Sequence, residues 1–181
     1  VSPCLLLTGF VNWDLLAVAC VAGALLAWAR GRPVLTGICL GIGTATKLYP
    51  LFLLGALLVI CLRRRQMTEF AAVLVAGVVS WVALNVPAWI TGMAQWQVFW
   101  TFNSDRGPDL GSVWLWFSLL GSPATPETVN RVSLVVFALA CVAILVLGLR
   151  APATPTFAQL GYLILAAFLI TNKVYSPQYV L

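Results

Sequence analysis

The stretch PVLTGICLGIGTATKLYPLFLLGALLVICLRRR, residues 33–65, decides the fold. It follows Arg30 and Arg32 and ends on Arg63, Arg64 and Arg65, so basic residues bracket an apolar segment. Basic connectors of membrane proteins face the cytoplasm. The 30 residues from Pro33 to Leu62 must therefore leave from one side and return to it. One straight helix cannot do that. Two short helices, Pro33 to Thr46 and Leu51 to Leu62, turning at Lys47-Leu48-Tyr49-Pro50, can. Each arm rises only about 20 Å, against roughly 30 Å of hydrocarbon, which puts the turn below the outer membrane surface. Broken backbone at that depth is tolerated only inside protein or beside a watery cavity, and Lys47 needs an anion or water there.

The composition agrees with a membrane setting. Of 181 residues, 62% are hydrophobic and 8% charged, and the mean hydropathy is +1.01, which excludes an ordinary water-soluble domain. The runs Leu15 to Ala29, Val132 to Leu149 and Phe157 to Ile170 read as bilayer spans. They are apolar on every side rather than alternating, which excludes a β-barrel. The expected fold is all-α: a polytopic transmembrane helical bundle with a broken-helix hairpin and an outward-facing cavity. With Val1 first, no cleavable signal, and Leu181 just past an apolar span, residues 1–181 read as a single transmembrane domain and a fragment of a longer chain.

Onward from Arg65, Thr68 to Val86 crosses outward. Pro87 then opens a Trp-rich interfacial segment, Ala88 to Trp116, with amphipathic helical pieces. Arg131 to Leu149 returns inward to Arg150, and Phe157 to Thr171 crosses outward again. The run Val113 to Leu120 reads either as a re-entrant piece or as the rim of a span; a crossing there would invert every later assignment. In the preferred topology four polar clusters meet on the outer side: Asn12-Trp13-Asp14, Lys47-Leu48-Tyr49-Pro50, Asn103-Ser104-Asp105-Arg106, and Asn172-Lys173-Val174-Tyr175-Ser176-Pro177-Gln178-Tyr179.

Several chemistries drop out. The absence of histidine removes Ser/His/Asp and Cys/His triads and His-ligated metals from these residues. Cys4, Cys20, Cys39, Cys61 and Cys141 have no metal or disulfide spacing and read as buried small side chains. In Gly41-Ile42-Gly43-Thr44-Ala45-Thr46-Lys47, Thr46 replaces the glycine that a phosphate loop needs before its lysine, and Leu48 replaces the Ser/Thr after it. Gly37 and Gly41, four apart, suit close helix packing. The net charge of +5 is scattered among apolar spans, which reports topology rather than nucleic-acid binding. No cofactor or metal is implied.

Cations at membrane depth suit an anionic lipid head group, most simply a phosphate. If that phosphate carries a sugar, Lys47, Arg106 or Lys173 would stabilise the charge growing on it as the glycosidic bond breaks. A carboxylate, Asp14 or Asp105, would take the proton of the attacking hydroxyl. Trp13, Tyr49 and Tyr175 offer stacking faces, and Gln178 an amide. Plainer roles compete: Asp14 as a helix cap, Asp105 paired to Arg106, Glu127 answering a helix dipole, Lys173 snorkelling.

The strings Asn12-Trp13-Asp14-Leu15-Leu16-Ala17, Arg30-Gly31-Arg32-Pro33, Gly41 through Leu51, and Asn172 through Tyr179, in that order, resemble actinobacterial GT-C-type integral-membrane glycosyltransferases. The likeness is to the polyprenol-phosphate-mannose-dependent α-mannosyltransferases of mycobacteria, and it spans nearly the whole chain. It implies transfer of a sugar, mannose, from a polyprenyl-phosphate donor to a lipid or glycan acceptor at the outer face of the plasma membrane. It also implies a base in the first outer loop, upstream of Val1, with Asp14 and Asp105 as substitutes. An arabinose donor, a lipid or solute transporter and a noncatalytic scaffold are the alternatives.

Overall fold

A computed structural model describes residues 14–175, and every regular element among them is helical. The elements are α1 (Asp14–Ala29), α2 (Pro33–Thr46), a 3-10 turn (Tyr49–Phe52), α3 (Leu53–Arg64), α4 (Met67–Asp105), α5 (Val113–Leu119), α6 (Pro126–Arg150) and α7 (Phe157–Thr171). Local chemistry explains the boundaries. Gly31, at φ +66°, turns the chain between α1 and α2, and Pro33 starts α2 where its missing N–H costs nothing. Arg65 closes α3 in the left-handed conformation. Thr125 caps α6, and Thr156 with Gln159 forms a reciprocal capping box on α7.

The expected hairpin forms. Gly23 approaches Cys39 and Gly43 approaches Cys20, so α2 runs antiparallel to α1. Gly37 lies against Val73 and Gly41 against Gly77, so α4 runs parallel to α2 and α3 must descend between them. Lys47 is extended, its N–H donating to the Gly43 carbonyl, and the 3-10 turn carries the chain over into α3. As a result the connectors 30–32, 65–66 and 151–156 lie at one end of the bundle, with Arg30, Arg32, Arg63, Arg64, Arg65 and Arg150 at or next to them.

The hairpin occupies the middle. Helix α3 buries Leu53, Ala56, Leu57, Val59, Ile60 and Cys61; all but Cys61 cluster with Leu40, Phe157, Leu160 and Ile164, and Pro50 of the turn is buried too. Burial in protein is what broken backbone at membrane depth demands. By contrast α4 buries only Val73 and α6 only Val129 and Gly148. Those two are the helices, among the described residues, that are long and apolar enough to cross a membrane.

Two expectations need revision. Helix α4 does not stop at Pro87; helical geometry continues to Asp105 and breaks instead at Gly92 (φ −171°, ψ 68°). Proline removes only one main-chain donor and displaces one carbonyl, a loss that apolar helices accommodate. Val113–Leu119 is a seven-residue helix, rising about 10 Å, too short to cross. No inversion follows, and α6 starts earlier than expected, at Pro126.

Arg63 illustrates how the basic end is tied. Its Nη1 donates to the carbonyls of Gly148 (2.8 Å), Ala151 (2.8 Å) and Ala153 (3.3 Å), covering the exposed C-terminus of α6. Arg63→Ala should destabilise the detergent-solubilised protein by about 1–3 kcal/mol, the range for charge-assisted bonds to carbonyls. Thermal unfolding checks this; an unchanged midpoint would show that water replaces the guanidinium freely.

Candidate active site

Helix α1 begins with Asp14 and α2 ends just before Lys47; because the two helices are antiparallel, these residues meet. Lys47 Nζ lies 2.9 Å from Asp14 Oδ1, with the side chains 30% and 15% exposed. The anion expected near Lys47 is thus supplied by the protein. Lys47 also borders a groove of about 600 Å³ between α2 and α4. The groove floor is Gly41 and Gly77, its apolar walls include Leu40, Leu54, Leu74 and Val78, and its polar groups include Thr44, Asn85 and Gln95. Trp81, Trp96 and Trp100 complete it. A cation at the rim of an apolar trough matches an amphiphile with an anionic head.

Tyr49 sits in the 3-10 turn just after Lys47, half-buried. The remaining cations gather elsewhere. Arg106 pairs with Asp109 at 2.8 Å and lies over the Phe102 ring; it does not pair with Asp105, which accepts from Ser104 Oγ. Lys173 is 6% exposed. Its Nζ donates to the carbonyls of Ser104 (3.2 Å) and Arg106 (2.8 Å), closing the C-terminus of α4. Burial, then repulsion by Arg106, pushes the Lys173 amine below the usual lysine value, against an opposing pull from Asp105. Asn130 binds the same Ser104 carbonyl, and Tyr175 lies against Gly111. Asp14 and Lys47 therefore form one cluster, and Asp105, Arg106, Lys173 and Tyr175 a second one in which Lys173 ties backbone together. Glu127 lies in the first turn of α6 and pairs with Arg131 one turn further on. Gln178, Trp13 and Cys4 lie outside the described residues.

Asn85 and Gln95 carry no functional expectation in the sequence, and Trp96 is expected there only as an interfacial anchor. Asn85 carried a signal: an amide two residues before a proline, deep in an apolar helix, needs a partner. Cys20, Cys39, Cys61 and Cys141 are free thiols; Cys61 is buried as expected, whereas Cys20, Cys39 and Cys141 are only partly buried.

Among the described residues the regular structure is all helical, and the two longest helices are apolar and clad in exposed aliphatic side chains, as membrane-crossing helices are. The sequence matches the family model of glycosyltransferase family 87 over residues 1–177, and the chain belongs to that family. It is a membrane glycosyltransferase of GT-C-like type, acting on a sugar donor and an acceptor. No curated protein and no solved structure matches it.

Proposed function

We propose that the protein transfers mannose from a polyprenyl-phosphate donor to a lipid or glycan acceptor at the outer face of the plasma membrane. The observation that carries this reading is Lys47, bound to Asp14 and bordering a largely apolar groove. A polyprenyl chain lies along the apolar walls and its phosphate meets Lys47. The acceptor oxygen attacks the anomeric carbon, and the bond from that carbon to the phosphate oxygen breaks. The electron pair leaves on polyprenyl phosphate, whose growing charge Lys47 stabilises. Asp14 orients Lys47. The hydroxyl proton passes to a carboxylate, Asp14 or Asp105. Tyr49, Arg106, Tyr175 and Gln178 are the further residues assigned to the substrates, while Lys173, whose ammonium is taken by the Ser104 and Arg106 carbonyls, keeps the end of α4 in place. The multi-pass arrangement follows the arginines: their end of the bundle faces the cytoplasm, and Asp14 and Lys47 face outward.

The test is sugar transfer by purified full-length protein given polyprenyl-phosphate mannose, polyprenyl-phosphate arabinose or a nucleotide sugar, with membrane lipid acceptors. Product from the mannose donor alone is expected. Product from the arabinose donor alone would change the sugar, and product from the nucleotide sugar would overturn the donor class. Folded protein inactive with all three would sink the reading.

A further inference from the structure

Helix α4 has 39 residues, which drawn straight would span about 58 Å, nearly twice the hydrocarbon layer. It breaks at Gly92, and the limb beyond, residues 93–105, does not continue in line. Trp96 Nε1 donates to Asn85 Oδ1 at 2.7 Å although the residues are 11 apart. On a straight helix, 11 residues separate two positions by about 16 Å along the axis. The second limb is therefore folded toward the first. Ring contacts mark the inside of the bend: Trp81 to Trp89 at 5.6 Å, Trp89 to Trp96 at 5.8 Å, Trp96 to Trp100 at 5.7 Å.

The Asn85 amide is held from both sides. Its Nδ2 donates to the Trp81 carbonyl at 2.8 Å. Because the indole N–H only donates, the atom facing Trp96 has to be the amide oxygen, and both bonds are then satisfied at once. Asn85, Gln95, Trp96, Phe99 and Trp100 all line the groove that Lys47 borders. The folded limb thus supplies one wall of that groove, and one hydrogen bond ties it to the membrane-crossing limb.

We infer that Asn85 is a positioning residue that, through Trp96, holds the second limb of α4 in place and so sets the width of the donor groove. The inference rests on the donor reading given above. Trp96 is the member that touches the donor; Asn85 acts only through it. Loosening the limb weakens donor binding while leaving Lys47, Asp14 and the bond-breaking step intact.

Two measurements test this on the full-length protein. The first is the distance distribution between spin labels at Leu51 and Phe99, exposed positions on the hairpin and on the limb, in a background with the native cysteines replaced. The second is donor KM and kcat in the unlabelled variants. Asn85→Leu and Trp96→Phe should each broaden the distribution and raise donor KM about tenfold, the loss of one hydrogen bond's worth of ordering, with kcat changed less than about threefold. The double variant should be no worse than Trp96→Phe alone, because the bond is already gone. A distribution as narrow in Asn85→Leu as in the parent overturns the strut. A broadened distribution with unchanged KM, or equal loss in kcat and in kcat/KM, overturns its role in donor binding. If the parent protein turns over no polyprenyl-phosphate sugar, the functional reading fails, while the label distances still judge the strut.

Discussion

Lys47→Ala should lower sugar transfer by about 100-fold or more, the usual effect of removing a preorganised group aimed at developing charge. The difficulty is that Lys47 also serves the fold, since its ammonium is 2.9 Å from Asp14. Loss of either partner leaves the other in a partly buried position. With side chains 30% and 15% exposed, solvent screens the pair, and the stability loss should be on the order of 1 kcal/mol rather than the larger cost of a dry ion pair. Stability and turnover are separated by the double variant Asp14→Asn/Lys47→Met. A neutral pair relieves the mismatch of either single change, so the unfolding midpoint should recover while transfer stays lost. Recovery of transfer together with the midpoint would show that Lys47 matters only for packing. The charge swap Asp14→Lys/Lys47→Asp sharpens the point: it keeps an ion pair but sets a carboxylate on the groove rim, where it would repel a phosphate.

The second large effect is expected at Gly41. A Cβ built there would sit 2.3 Å from the Gly77 carbonyl oxygen and 2.9 Å from Ser80 Cβ; at Gly37 it would sit 2.2 Å from the Val73 carbonyl oxygen. Both obstacles include main chain, so α4 has to move away from α2. Gly41→Ala and Gly37→Ala should each cost about 1–3 kcal/mol, the range for an overpacked core. Gly41 also floors the groove, and a shift of about 1 Å at a site can cost on the order of 100-fold in rate. Gly77→Ala should be milder, its nearest contact being 3.3 Å. Gly107→Ala should be neutral, since nothing lies within 4 Å of its added carbon. Melting curves and turnover of the four variants check the ranking. A Gly41→Ala protein that melts with the parent would mean that the helices part without cost, and the seam would lose its significance.

Much of the fold was legible in local chemistry. The bounds of α2 and α7, Pro33–Thr46 and Phe157–Thr171, are those read from the sequence, because Arg-Gly-Arg-Pro, Lys-Leu-Tyr-Pro and the proline-rich connector before Phe157 end helices by backbone rules that need no tertiary contact. The second arm was displaced slightly, to Leu53–Arg64, because a 3-10 turn absorbs Tyr49–Phe52. The closeness of Gly37 and Gly41 to another helix was legible as spacing; the partner helix was not.

The sequence by itself determined that the described chain is helical, that its charges are sorted to the ends of apolar segments, and that Lys47 sits on a broken hairpin in need of an anion. These properties follow from residue type and short-range spacing. Only the tertiary structure decided that the anion is Asp14, 33 positions away, that Arg106 pairs with Asp109, that Lys173 spends its ammonium on carbonyls, and that α4 passes Pro87 and folds at Gly92. The reason is physical. Lipid and protein interior are both apolar, so a membrane helix carries little amphipathic record of which face is buried. Helix α3 is largely buried and α4 largely exposed, although both are strongly apolar. Which face meets which is settled by small residues and by single polar bonds between distant positions, and those exist only once the helices have packed.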